Sequence, residues 1–106
     1  MPTTHLNNQL FPDDVRRLLP PLYSQESLGE QATVFVKFFT PDSSWSWFAT
    51  EFDGNDTFFG LVVGHDTELG YFSLAELRAV RGPLRLPIER DEHFTPTTLA
   101  EIRRLS

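Results

Sequence analysis

Residues 45–64 read WSWFATEFDGNDTFFGLVVG, a β-hairpin written almost wholly in strand-forming residues around an acidic turn. Both faces of that hairpin are apolar. This constrains the fold more than any other feature, because a two-stranded ribbon is marginal alone and its two water-averse faces both need cover. The cover comes from two layers of the same chain or from a partner. The region around it has the same character, with 11 of the 14 aromatic residues lying between positions 35 and 72. Each ring buries about 150–250 Å². A chain of 106 residues has material for one core, which these rings largely build.

Strand parity sorts the hairpin into two faces. With a loop at Gly54-Asn55, or over 53–56, Phe52 is expected opposite Thr57, Phe48 opposite Leu61 and Trp47 opposite Val62. One face then holds Phe48, Phe52, Phe59 and Leu61. The other holds Trp45, Trp47, Glu51 and Phe58 together with Gly60 and Gly64. The two indoles are expected over Gly64 and Gly60, covering backbone that would otherwise be bare. Glu51 is expected near the exposed end of that face. Core packing explains such a face. The functional alternative is a partner groove floored by glycine, walled by tryptophan and gated by a carboxylate, a composition typical of binding hot spots. On that reading the partner-binding residues are Trp45, Trp47, Glu51, Asp53, Asp56 and Phe58.

The rest of the chain supplies short elements. Pro12 with Asp13 and Asp14 opens a helix over 12–19, which Pro20-Pro21 stops. Strands are expected over 32–40, 45–52, 57–64 and 69–72, separated by turns and no helix, which indicates an antiparallel meander. Ser73 and Glu76 form a capping box for a helix over 74–81, with Gly82 as its left-handed terminator. Residues 84–90 contain Pro87 and read as extended, at most an edge strand. A last helix over 98–105 spaces Leu99, Ile102 and Leu105 along one side, with Thr98 and Glu101 as a second capping box. The expected fold is α+β: a three- or four-stranded antiparallel meander packed with three short helices. It forms one domain over 1–106, with 1–10 flexible. The helices are expected to cover one sheet face. The N-terminal segment and 83–94, or a second copy, close the Trp face.

Charge is distributed unevenly. The net charge is −6, and residues 38–77 contain seven acids and no Lys or Arg. From residue 78 onward there are six Arg against four acids. Phosphate contacts need cations, so direct nucleic-acid binding by the middle of the chain is not expected. There is no cysteine, which excludes disulfides, thiolate metal sites and thiol nucleophiles. The start of the chain lacks a leader pattern, and no run approaches the roughly 18 apolar residues of a membrane span. A cytoplasmic protein without membrane attachment is expected.

Catalytic patterns are thin. Glu51 and Asp53 lie two apart, a spacing that could serve glycoside hydrolysis, but any strand running into an acidic turn offers such a pair. Asp53-Gly54-Asn55-Asp56 fails the EF-hand spacing and reads as a turn. His65, Asp66 and Glu68 are weak metal candidates on one turn. No cofactor motif is present. The enzyme alternative is a small metal-dependent hydrolase using the acids and histidine of the hairpin turns.

Four stretches, LLPPLYSQE (18–26), KFFTPDSSWSWFATEFDG (37–54), DTFFGLVVGHDTELGYFSLAEL (56–77) and GPLRLPIERD (82–91), resemble the DUF2958 family of short bacterial proteins, a domain of unknown function. The resemblance spans residues 10–105. It implies an accessory protein of plasmids and integrative elements in the bacterial cytoplasm. It implies no activity, so no catalytic residue follows from it. Residues and resemblance together lead to an expected function. This is a small acidic, non-catalytic protein-interaction module with a protein partner, an anti-defence inhibitor or adaptor; a homodimeric structural module is the further alternative.

Overall fold

The structure, a computed structural model, describes residues 10–105. The expectation of a flexible start therefore falls, for residues 1–9, outside the described residues. The elements are α1 (Asp13–Arg16), a 3₁₀ stretch (Glu26–Gln31), β1 (Thr33–Val34), β2 (Val36–Phe39), β3 (Ser46–Phe52), β4 (Thr57–Val63), β5 (Thr67–Ser73), α2 (Leu74–Ala79), β6 (Glu89–Arg90), β7 (Thr97–Thr98) and α3 (Leu99–Leu105). The class is α+β, as expected. The meander β2 to β5 is present, and β6 joins its far edge to give a five-stranded antiparallel sheet in the order β5-β4-β3-β2-β6.

Several expected elements change their bounds. The strand expected over 32–40 divides at Phe35, because β1 turns away to pair with β7 while β2 stays with β3. The first helix shortens to the single turn of α1. The helix over 74–81 ends at Ala79, since Val80 is already extended. Gly82 is not its left-handed terminator. A Cβ there would meet Asp42 Oδ1 at 1.7 Å, so the position needs glycine for close approach of the Asp42 carboxylate. That carboxylate accepts from Leu84 N at 2.7 Å.

The hairpin register holds from Ser46↔Val63 to Ala49↔Gly60 and then shifts at a bulge between Ala49 and Glu51. Beyond the bulge Phe52 faces Phe58 rather than Thr57, and Glu51 faces Phe59. One extra residue turns over every side chain after it. Phe52 therefore joins the Trp face, and Glu51 leaves it for the opposite one. Thr50 stabilises the bulge by donating Oγ1 to the Phe59 carbonyl at 3.0 Å. Gly60 sits beside the same distortion. A Cβ on it would lie 1.9 Å from the Phe48 carbonyl oxygen, so the β3 backbone, and not Trp47, explains this glycine. Trp45 does lie over Gly64, where a Cβ would meet its ring at 2.4 Å.

Each sheet face has its own core. The Trp face holds Phe38, Trp47, Ala49, Phe52, Phe58 and Phe72, closed by Leu10 and Phe11, by Leu74 and Leu77 of α2, and by Ile88. The N-terminal segment and the 83–94 stretch thus lie where expected, with α2 added. The other face packs Phe48 and Leu61 against Val34 of β1 and Leu99 and Ile102 of α3. The helices are divided between the faces instead of sharing one. This cover reaches Leu61 of β4 but not the β5 edge of the second face. Its β4/β5 end carries Phe59, Leu69 and Tyr71, and β5 is an edge with Leu69 42% and Tyr71 55% exposed. Among the described residues no helix is long and apolar enough to cross a membrane.

Candidate functional site

The bulge at Thr50 builds the most developed site of the described residues. By turning Glu51 onto the open half of the sheet, it places a carboxylate under the connection that runs from Pro20 to Gln31. Glu51 is only 4% exposed. Its Oε1 accepts from Tyr23 N and its Oε2 from Gln25 N, each at 2.8 Å. Gln25 completes the junction. Its Nε2 donates to the carbonyls of Thr33 and of the bulged Thr50, and its Oε1 accepts from Thr33 N at 2.7 Å. A bulge leaves its extra residue unpaired in the ladder, and here a side-chain amide supplies the missing partner.

This anchoring holds Tyr23 at φ +72°, in the left-handed region. A non-glycine residue costs on the order of 1 kcal/mol or more there, and the Glu51 bond to its N–H helps to hold it. Its ring and that of Tyr71 of β5 both line a cleft. The Tyr71 hydroxyl is raised above the ordinary tyrosine range, first by its interaction with the Tyr23 side chain, then by burial and by the nearby charges of Glu51 and Glu26. The cleft has a volume of about 210 Å³, with Tyr23, Phe59 and Tyr71 as aromatic walls, Glu51 at its floor and Glu26 at its rim. Phe59 and Tyr71 meet edge to face at 5.0 Å. No basic residue lines it. Small-molecule sites usually enclose roughly 300–1,000 Å³, so this cleft suits one side chain better than a whole cofactor.

The residues singled out from sequence are dispersed. Phe58 is fully buried and Trp47 is 8% exposed, both in the core of the Trp face. Trp45 is half-buried, stacked on Trp47 at 6.0 Å with the His65 ring edge against it at 5.6 Å. Asp53 and Asp56 order the turn. Asp53 Oδ1 accepts from the backbone N–H groups of Asn55, Asp56 and Thr57 at 2.8–3.1 Å. Asp56 accepts from Ser73 Oγ at 2.6 Å and from Ala75 N at 2.8 Å, capping α2 from the start of the neighbouring strand β4. Ser73 itself accepts from Glu76 N at 3.2 Å, as the capping box requires. His65, Asp66 and Glu68 lie exposed on the β4–β5 turn and on β5, and no three metal-ligating side chains gather among the described residues. Four of the seven acids in the cation-free stretch, Asp42, Glu51, Asp53 and Asp56, thus accept hydrogen bonds within the chain. Tyr23, Gln25, Phe59, Leu69 and Tyr71 had no place in the sequence reading of the site. The alternation in Glu68-Leu69-Gly70-Tyr71, apolar on one face and polar or bare on the other, is the signal that marks β5.

Both turn aspartates titrate below the ordinary aspartate range, Asp53 through its backbone hydrogen bonds and Asp56 first through Ser73 and then Ala75 N. A lowered folded-state value means that the unfolded chain takes up protons first. The stabilisation is present above about pH 4 and is lost as pH falls through the folded values. Thermal melts between pH 7 and pH 2.5 are expected to show the transition temperature dropping below pH 4. Asp56→Asn is expected to shallow that acid limb, and an unchanged limb would remove Asp56 from its cause.

Among curated proteins and among solved structures, none matches the chain. A family does. The family described as "Protein of unknown function (DUF2958)" matches residues 10–102, the bulged hairpin, the cleft and β5 included, and the chain belongs to it.

Proposed function

We propose that this protein is a non-catalytic interaction module that docks a protein partner along β5. The observation that carries this reading is the edge itself. β5 is seven residues long, pairs with β4 on one side only and presents Leu69 and Tyr71 to solvent. Natural edges of this length are usually blunted by Lys, by Pro or by a covering element. The β5 sequence TELGYFS has neither residue, and Gly70 has open space where a Cβ would stand. An extended segment added to such an edge gains main-chain hydrogen bonds, while alternate side chains select the partner. The acids left after the internal bonds, Asp66, Glu68 and Glu76, are exposed on or beside β5 and favour a basic partner over nucleic acid. A role as cytoplasmic inhibitor or adaptor of a bacterial mobile element accords with the family resemblance.

Affinity capture from a bacterial extract tests the reading. The wild type is expected to retain a partner protein that Leu69→Lys retains at least tenfold less, while Trp45→Ala retains it unchanged. Equal capture by the wild type and Leu69→Lys would remove β5 as the docking edge. Loss with Trp45→Ala alone would move docking to the indole end of the sheet.

A further inference from the structure

We propose that the cleft between Tyr23 and Tyr71 receives a single cationic side chain, an arginine or lysine of the partner protein. The inference rests on β5 as the docking edge and names what the edge selects. Its basis is an unmatched charge. A carboxylate has roughly four acceptor positions, and the N–H groups of Tyr23 and Gln25 fill one on each oxygen of Glu51. Arg16 pairs with Asp13, Arg103 with Glu30 and Arg104 with Glu101, and no basic residue lines the cleft over Glu51. Buried charges are usually paired or hydrogen-bonded, and the lining of the cleft supplies no cation. Its walls have the chemistry for one, because the faces of tyrosine and phenylalanine rings attract ammonium and guanidinium groups. Glu26 and Glu30 also line the cleft, and of these Glu30 is already paired with Arg103.

Geometry links the cleft to the edge. Leu69 and Tyr71 lie on the sheet face that carries Phe59 and Glu51. A residue of an added strand directly opposite Tyr71 would project on the same face, with its Cβ about 5 Å from that of Tyr71. A long side chain starting there can reach over the phenol toward Glu51. A second copy of this chain does not meet the requirement. Its own β5 offers Glu68 and no cation, and each copy carries a net charge of −6.

Nuclear magnetic resonance titration of the ¹⁵N-labelled protein tests the cleft without the partner. The probes are N-acetyl-argininamide and the neutral N-acetyl-norleucinamide. Saturable shifts are expected at the amides of Tyr23, Gln25, Glu51 and Tyr71 with the arginine probe, and none with the neutral one. Tyr71→Leu and Glu26→Gln change exposed side chains and are expected to weaken arginine-probe binding by about three- to tenfold. Equal shifts from both probes, no saturable shift, or unchanged affinity in both variants would each overturn the proposal. Partner capture lost in Leu69→Lys without probe binding in the wild type would sink the cleft and leave the docking edge standing. Probe binding with capture indifferent to Leu69→Lys would sink the docking edge, and with it the partner as source of the cation.

Discussion

Phe58→Ala is expected to destabilise the protein by about 3–5 kcal/mol, the largest effect of any single truncation in the sheet. The side chain is fully buried. Its ring lies 4.6 Å from Phe52, 5.0 Å from Phe11, 5.1 Å from Phe72 and 5.5 Å from Phe38, centroid to centroid. These neighbours come from the N-terminal segment and from three strands, so no one element can move in to fill the space. Truncation removes both the transfer energy of the ring and its contacts with four others, and it leaves a cavity that cannot collapse cheaply. A domain of this size is typically stable by about 5–15 kcal/mol, so the variant should be at or near its unfolding threshold at ambient temperature. Urea denaturation measures this: the midpoint should fall with the slope unchanged. A loss under about 1.5 kcal/mol, less than half the low end of the expected range, would show that the phenylalanine cluster repacks and that Phe58 is not its centre.

Glu51→Ala is expected to cost about 2–4 kcal/mol, although it removes a charge from the interior. The carboxylate is the acceptor for the N–H groups of Tyr23 and Gln25. Without it both donors lose their partner, and an orphaned buried donor costs about 1–3 kcal/mol. Tyr23 also loses the bond that helps to hold it in the left-handed region, so the 20–31 connection should loosen before the sheet does. Hydrogen exchange distinguishes the two levels. Amides of Tyr23 and Gln25 should exchange much faster in the variant, whereas those of Phe58 and Leu61 should change only as far as global stability falls. Unaltered protection at Tyr23 and Gln25 would show that something other than Glu51 pins the loop.

The contrast between these two residues shows what a single chain reveals about itself. Side-chain period sorts 45–49 and 60–63 into two faces, and the acidic turn at 53–56 then sets Trp47 opposite Val62 and Phe48 opposite Leu61. Thr50 is an ordinary strand residue, and nothing in its identity announces an extra position in the ladder. The trace lies one residue on. A glutamate amid indoles and glycines conflicts with an apolar face, and the bulge resolves that conflict by exchanging Glu51 for Phe52. Helix starts were legible in Ser73 and Thr98, whose hydroxyls accept from Glu76 N and Glu101 N at 3.2 Å. Helix ends were not, because Gly82 answers to a distant carboxylate and not to the turn before it. Tyr23 was hidden for the same reason: its backbone conformation depends on a side chain 28 residues away, which no local pattern encodes.

The stacked indoles have a practical consequence. Trp45 and Trp47 are the chain's only tryptophans, and they sit 6.0 Å apart with 28° between their planes. Red-edge excitation is absorbed by this pair almost alone, so the emission reports one end of the ribbon, where the His65 ring packs against Trp45. The chain therefore carries an unlabelled fluorophore beside His65, six residues along the strand from the carboxylate under Tyr23. Light from that end can follow unfolding while the tyrosines report separately on whatever enters the other.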